Sequence, residues 1–379
     1  MEEWKEYKLG EITIMKNGKK RPQNNGKYPV YGGNGIIDYS DSYNAEDTII
    51  VGRVGAYCGC VYKCDHKCWV SDNAISVLAK EMVHTQFLYY LMKTLDFHHY
   101  HIGGAQPLMT QDIISNFIVS LPSLLVQKQI TSILKSLDNK IEVNRRINDN
   151  LEQQSQALFK SWFVDFDPFK DQPFVESELG MIPQGWIVCS LDDILEISKK
   201  SVNPCKNPDS LYTHYSIPAY DDDMKPELQL GKEILSNKFV VGDRMTLFSK
   251  LNPRIRRIWF VDDVVENSIC STEFVPYRAK DFALSTYVHS ILSTQGFYDY
   301  VMSKVNGATG SHQRFHPEET LSYLIPFNKD VALNYNSIIE PILSKILYNR
   351  KESRRLAELR DTLLPRLMSG ELKVNDIEF

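Results

Sequence analysis

Ile141, Asn144, Arg145, Arg146, Asn148, Leu151 and Leu158 return as Ile346, Asn349, Arg350, Lys351, Ser353, Leu356 and Leu363, at a constant offset of 205 residues. A duplication of this length constrains the fold more than any other feature of the chain. It predicts one structural tool used twice, each copy a globular block followed by a long helix. The globular blocks match more loosely. Trp4-Lys5-Glu6-Tyr7-Lys8-Leu9-Gly10-Glu11-Ile12 pairs with Trp186-Ile187-Val188-Cys189-Ser190-Leu191-Asp192-Asp193-Ile194, Ala79-Lys80 with Ala279-Lys280, and Phe87 with Tyr287. Gly103-Gly104-Ala105-Gln106 has a counterpart near Gly307-Ala308-Thr309-Gly310. Each block closes on an apolar run with a proline, at Val119–Pro122 and Leu324–Pro326. The offset drifts, so loops of unequal length join shared elements. A common scaffold with divergent loops suits two readers of two sequences on a long repetitive ligand such as DNA.

Periodicity divides the chain. Residues 1–125 mix β-type runs such as Thr48-Ile49-Ile50-Val51 with glycine turns such as Tyr31-Gly32-Gly33-Asn34-Gly35, interrupted by a helical stretch near Thr85–Leu95. Residues 126–165 hold a central spacer helix, helical to 163. Residues 166–185 contain Pro168, Pro173, Gly180, Pro183 and Gly185 and read as a linker. Residues 186–330 repeat the mixed pattern, and 331–379 hold a second helix, over 331–364, and a tail. The 379 residues suffice for two domains, each with its own core. The expected class is α+β: two similar α/β domains separated by an antiparallel coiled coil of two long helices, a pseudo-twofold internal repeat.

The helices carry a heptad seam. Ile130, Leu134, Leu137, Ile141, Asn144, Asn148, Leu151, Ser155, Leu158 and Trp162 alternate by four and three. Tyr335, Ile339, Ile342, Ile346, Asn349, Ser353 and Leu356 do the same, and Leu363 follows one heptad later. Asparagine on a seam costs stability and fixes register. A pseudo-twofold axis would set Asn144 and Asn148 opposite Asn349 and Ser353; a helical hairpin inside a core is the plainer alternative. Pro341 implies a kink, or a regular helix that starts later. A helix over 331–364 would span roughly 50 Å, more than one DNA turn of about 34–36 Å. The four aromatics between Ala157 and Phe166 either plug a core or face a partner.

Bulk properties exclude some classes. Hydrophobic residues make up 43% and charged ones 24%, as in a folded globular protein. No apolar run reaches a membrane span and Met1-Glu2-Glu3-Trp4-Lys5 lacks signal-peptide features, so a cytoplasmic location is expected. Seven cysteines argue against a disulfide framework. The net charge of −5 counts mildly against nucleic-acid binding, but it says nothing of where charges sit. Asp221-Asp222-Asp223 can offset local basic clusters in the sum.

Arginine offers a fork to guanine, glutamine pairs with adenine, and glycine lets backbone N–H groups approach phosphate. On glycine-bearing or basic loops these rules select Lys19, Lys20, Arg21, Arg53 and Gln106 in the first block. In the second they select Lys250, Arg254, Arg256, Arg257, Gln313 and Arg314. Arg256 and Arg257 would point to opposite faces of a strand. A solvated surface charge is the alternative for each. His98, His99 and His101, beside Gly103-Gly104, would touch phosphate, stack on a base or simply stand in solvent.

No chemistry is written in the chain. It has no Asn/Asp-Pro-Pro-aromatic signature for amino-methylation and no Walker A loop. Asn252-Pro253-Arg254 matches the former only superficially, and Val51-Gly52-Arg53-Val54-Gly55 lacks the context of a dinucleotide loop. Cys58, Cys60, Cys64 and Cys68, with His66, leave zinc open, although their spacing is not that of a common finger. A nuclease or methyltransferase built on those cysteines or on scattered carboxylates, and a coiled-coil scaffold without DNA readout, remain as rivals.

The stretch Asp138-Asn139-Lys140-Ile141-Glu142-Val143-Asn144-Arg145-Arg146-Ile147-Asn148, continuing to Ala157-Leu158-Phe159-Lys160-Ser161-Trp162-Phe163-Val164-Asp165-Phe166, resembles the central region of the specificity subunit of type I restriction–modification systems. Asp361-Thr362-Leu363-Leu364-Pro365-Arg366-Leu367-Met368-Ser369-Gly370-Glu371-Leu372 resembles its C-terminal region. Val51-Gly52-Arg53-Val54-Gly55 and Ser71-Asp72-Asn73-Ala74 resemble motifs of its first target-recognition domain. The resemblance implies two target-recognition domains, each reading half of a bipartite site in double-stranded DNA. The helices would set the spacing and dock two methyltransferase (modification) subunits, which restriction subunits would join. S-adenosylmethionine, ATP and magnesium would belong to those partners, and this chain would hold no cofactor, no metal and no catalytic residue.

Overall fold

The computed structural model describes residues 4–22, 25–103, 107–305 and 313–376. The chain forms two compact units, Met1–Asn144 with Arg350–Phe379, and Arg145–Asn349. The division falls inside two 40-residue helices, Leu124–Phe163 and Lys329–Met368, so each unit owns part of both. The second helix begins at Lys329 and runs unbroken through Pro341, which corrects the expectation of a later start. Pro341 and Ser337 are both exposed there, so a carbonyl left without its N–H partner can meet solvent.

In the first unit six strands form one sheet, in the order Thr13–Asn17, Ala74–Ala79, Ala45–Gly52, Val61–Val70, Tyr28–Gly32 and Gly35–Ser40. Strand Ala45–Gly52 is covered on both faces from Thr48 onward, where successive side chains enter two different clusters. Ile49 and Val51 join Ile75 and Val77 against Phe87, Leu88 and Leu91 of helix Thr85–Lys93. Ile50 turns the other way, into a smaller cluster with Tyr31, Cys64, Cys68 and Val70. Ile130 and Leu134 of the first long helix and Leu367 and Met368 of the second complete the larger core. Gly370 then ends the second helix at φ +74°, where a Cβ would stand 3.0 Å from the Trp4 ring.

The second unit holds a four-stranded sheet, ordered Leu195–Ile197, Phe274–Ala279, Met245–Ser249 and Ile258–Val261. A five-stranded sheet runs Ser201–Val202, Lys238–Val240, Ser268–Cys270, Leu211–Tyr215 and Glu227–Leu230. Phe159 and Phe163 plug its main core, meeting Tyr335 edge-on with ring centroids 5.8 and 5.2 Å away. Residues 166–185 are folded into this unit. They hold the hairpin Phe174–Ser177/Gly180–Pro183, and Phe166 and Ile182 lie in the core with Trp186.

The internal repeat is structural. Lys5–Lys8 pairs antiparallel with Ile118–Leu121, and Ile187–Ser190 with Leu324–Phe327; each first strand leads into one helical turn, Leu9–Ile12 or Leu191–Ile194. Lys80 N donates to Ile12 O and Lys280 N to Ile194 O, both at 2.9 Å. Phe87 and Tyr287 are both fully buried.

Within each unit the long helices pair antiparallel through the seam. In the first, Asn144 Nδ2 donates to Ser353 Oγ at 3.2 Å and Glu352 Oε2 at 2.7 Å, and Arg360 Nη1 donates to Asp138 Oδ1 at 2.8 Å. In the second, Asn349 Nδ2 donates to Asn148 Oδ1 at 2.8 Å, and Asn148 Nδ2 to Ile346 O at 3.2 Å. The α+β class and the antiparallel coiled coil are therefore present.

Candidate nucleic-acid interface

In the second unit, loop Lys250–Arg257 joins strands Met245–Ser249 and Ile258–Val261 and is closed by Ser249 N donating to Arg257 O at 3.0 Å. Asn252 turns the chain at φ +46°, a conformation asparagine tolerates. Its N–H donates to Gln313 O at 3.0 Å, while Lys250 N donates to Glu273 O at 2.9 Å. Arg314 Nε and Nη2 reach the two Glu273 oxygens at 3.0 and 2.9 Å. That carboxylate also raises the Arg314 guanidinium above its usual value. One hydrogen-bonded loop cluster thus carries Lys250, Arg254, Gln313 and Arg314. Asn252 Oδ1 and Gln313 Oε1 are enclosed there without a hydrogen-bond donor among the described atoms.

The two arginines after Ile255 leave this cluster. Arg256 donates to Ser293 O and to Thr294 O, the latter at 2.8 Å, and lies 5.4 Å from the Tyr298 ring. Burial pushes its guanidinium down. Arg257 is buried and makes a fork to both Asp221 oxygens at 2.7 and 2.8 Å. Arg254 is exposed, and its carbonyl accepts from Tyr298 Oη at 3.3 Å. Three arginines in four residues therefore hold one exposed and two internal positions.

The first unit assembles its candidates around the turn Ser71-Asp72-Asn73. Arg53 N donates to Asn73 O at 2.9 Å, and Arg53 Nη1 lies 3.5 Å from Asp72 O. Lys19 N donates to Val70 O at 3.0 Å, and Trp69 Nε1 donates to Lys19 O at 3.2 Å. Gly18 is needed for this approach, since a Cβ would fall 1.9 Å from Ser71 O. Lys19, Lys20 and Arg21 are exposed, Arg21 at 3.4 Å from Asp38. Gln106 lies outside the described residues, as do Gly104, Ala105 and the Gly307–Gly310 match. The two motifs Val51–Gly55 and Ser71–Ala74, separate in sequence, thus meet.

The cysteines do not gather at one point: only Cys64 and Cys68 share a cluster. Cys58 belongs to the large core, with Sγ donating to Arg53 O at 3.4 Å and its thiol pushed up by burial. Cys64 and Cys68 sit in the smaller cluster. Among the described residues no His/Cys/Asp/Glu group can hold a metal. His98 Nδ1 contacts Cys58 O at 3.0 Å, His99 pairs with Asp96 at 2.8 Å, and His101 Nδ1 lies 2.7 Å from His98 O. Among the described residues no helix is long and apolar enough to cross a membrane.

Glu273, Asn252 and Trp69 were not legible as site residues. An acid, a turn asparagine and a strand tryptophan carry no signal for DNA in a sequence; only the fold places them beside the basic loops.

Comparison with known proteins bears on this arrangement. Residues 1–153 match the model of the type I restriction modification DNA specificity domain. The type I restriction enzyme MjaIX specificity subunit of Methanocaldococcus jannaschii is 27% identical over 80% of this chain and 72% of its own length. The HindI specificity subunit of Haemophilus influenzae is 27% identical over 71% and 72%. This chain is a homologue of type I specificity subunits. The fold agrees: the type I restriction–modification S subunit from M. genitalium superposes with a TM-score of 0.60 over 97% of this chain and 96% of that one, at 15% identity.

Proposed function

We propose that this chain is the non-catalytic DNA-specificity subunit of a type I restriction–modification complex. Each unit would read one half of a bipartite site in double-stranded DNA, Lys19, Lys20, Arg21 and Arg53 in the first and Lys250, Arg254, Gln313 and Arg314 in the second. The observation that carries this reading is one scaffold used twice, with a different hydrogen-bonded basic loop cluster on each copy. Exposed lysines suit phosphate, and forked arginine suits guanine. Arg256 and Arg257 are proposed as internal braces rather than contacts. The long helices, shared by both units, would fix the interval between half-sites and dock two methyltransferase subunits, with restriction subunits joining them in the cytoplasm. S-adenosylmethionine, ATP and magnesium would bind those partners.

The test is co-expression with the cognate methyltransferase subunit, followed by mapping of methylated adenines. A single bipartite sequence is expected, and none should appear with the chain alone. Methyl transfer by the purified chain without a partner would refute the non-catalytic reading.

A further inference from the structure

The second loop cluster contains an acid where a DNA-contacting surface would be expected to avoid one. Glu273 is one-quarter exposed, with 27% of its side chain accessible, against 44% for Arg314. A bare carboxylate at this place would repel phosphate, so its position calls for a reason. Its contacts supply one. Ser271 Oγ accepts from Glu273 N at 3.2 Å and so fixes its main chain. Glu273 O then receives Lys250 N, the first residue of the basic loop. Its two carboxylate oxygens take Nε and Nη2 of Arg314. The same residue therefore ties the Lys250–Arg257 loop to the Gln313-Arg314 segment, which is joined again by Asn252 N and Gln313 O.

The side on which Arg314 is held matters. A guanidinium has five N–H donors in a rigid fork. The pair with Glu273 occupies the Nε edge. It leaves the outer edge, formed by Nη1 and the second Nη2 proton, uncommitted by this pair and parallel in geometry to guanine O6 and N7. A flexible arginine must lose its rotamer freedom on binding, whereas one already clamped has lost it beforehand.

We propose that Glu273 is a positioning residue for sequence readout: it clamps Arg314 and the Lys250 loop so that the outer edge of Arg314 meets a guanine in the half-site read by the second unit. This rests on the DNA-reading function proposed above. Glu273 contributes discrimination between bases, and it lowers affinity for DNA in general because its charge stands near phosphate.

The experiment uses the chain in complex with its methyltransferase, with methylated-site mapping and binding to unrelated duplex DNA as the two readouts. E273Q cannot accept both arginine donors. It should lose preference at one base position of one half-site, by roughly 5- to 150-fold, while binding unrelated DNA as well as or better than wild type. R314K keeps the charge without the fork and should blur the same position. An unchanged site in E273Q, different positions affected by the two variants, or a loss spread over both halves would overturn the proposal. If E273Q does not fold, R314K decides alone: an unchanged site overturns the proposal. Wild-type protein that specifies no bipartite site would instead overturn the DNA-reading function itself.

Discussion

The buried amide pair on the helix seam gives the sharpest test of how this fold trades stability for register. Asn349 is fully buried, and its Nδ2 donates to Asn148 Oδ1 at 2.8 Å. Its own Oδ1 has no partner among the described atoms. Replacing Asn349 with Ala would leave the 8%-exposed Asn148 without that donor, at a cost of about 1–3 kcal/mol. Removing the unpartnered Asn349 Oδ1 returns part of this, so a net loss of about 1–2 kcal/mol is expected, a fall of roughly 0.5–1 M in urea midpoint. Replacing both Asn148 and Asn349 with Leu removes both amides of this pair, the unpartnered Asn349 Oδ1 included, and adds apolar contact. That double variant should be as stable as wild type or more so, and set against the single variants N148L and N349L it should give a coupling energy of about 1–3 kcal/mol between the sites. Register should suffer instead, because apolar side chains pair equally well after sliding. The assays are urea unfolding by circular dichroism and, in the methyltransferase complex, the distribution of spacer lengths among methylated sites. A double variant as unstable as the two single losses combined, with one fixed spacer, would refute the reasoning.

Three further outcomes are expected. R257A should lower the free energy of urea unfolding by on the order of 2 kcal/mol for a lost charged fork, without relaxing the methylated sequence; R254A should leave stability unchanged and relax one half-site, and the reverse pattern would reassign both. G52A should disable recognition of the other half-site, because a Cβ there would lie 2.2 Å from Tyr57 O and 2.7 Å from Gly33 O, beside Arg53; unchanged methylation would exclude that loop. Burial pushes the His214 imidazole down, aided by nearby Lys238 and opposed by its bond to Gln229. Below about pH 6.5 the unfolded chain binds a proton that the folded one resists, so stability should fall as pH drops through that value, and H214Q should flatten the fall in urea midpoints measured from pH 7.5 to 5.5.

The fold was legible where one physical rule acts alone. A heptad seam needs only that buried positions repeat by three and four, so Asn144, Asn148, Asn349 and Ser353 announced their own pairing. The duplication likewise exposed Lys80 and Lys280, whose backbone bonds repeat at the same length. Residues 166–185 read as a linker in the sequence because proline and glycine also build hairpins. The burial of Phe166 and Ile182 depends on Trp186 and the Phe159–Phe163 ridge, which local composition does not reveal. Pro341 suggests a kink or a later start for a related reason: its cost depends on whether the freed carbonyl faces water, a tertiary property.

The contact residues show the limit most clearly. Arg254, Arg256 and Arg257 are chemically identical and nearly adjacent, yet one faces solvent while the others brace Ser293, Thr294 and Asp221. Charge alone therefore overcounts the basic surface of this chain. The acids must be sorted in the same way. Asp221 neutralises an internal arginine, Asp38 meets Arg21, and Glu273 holds Arg314. A net charge of −5 is then compatible with DNA readout, because some acids organise the arginines rather than oppose the phosphates. The quantity that bears on binding is the arrangement of each pair at the loop clusters, which the summed charge cannot express.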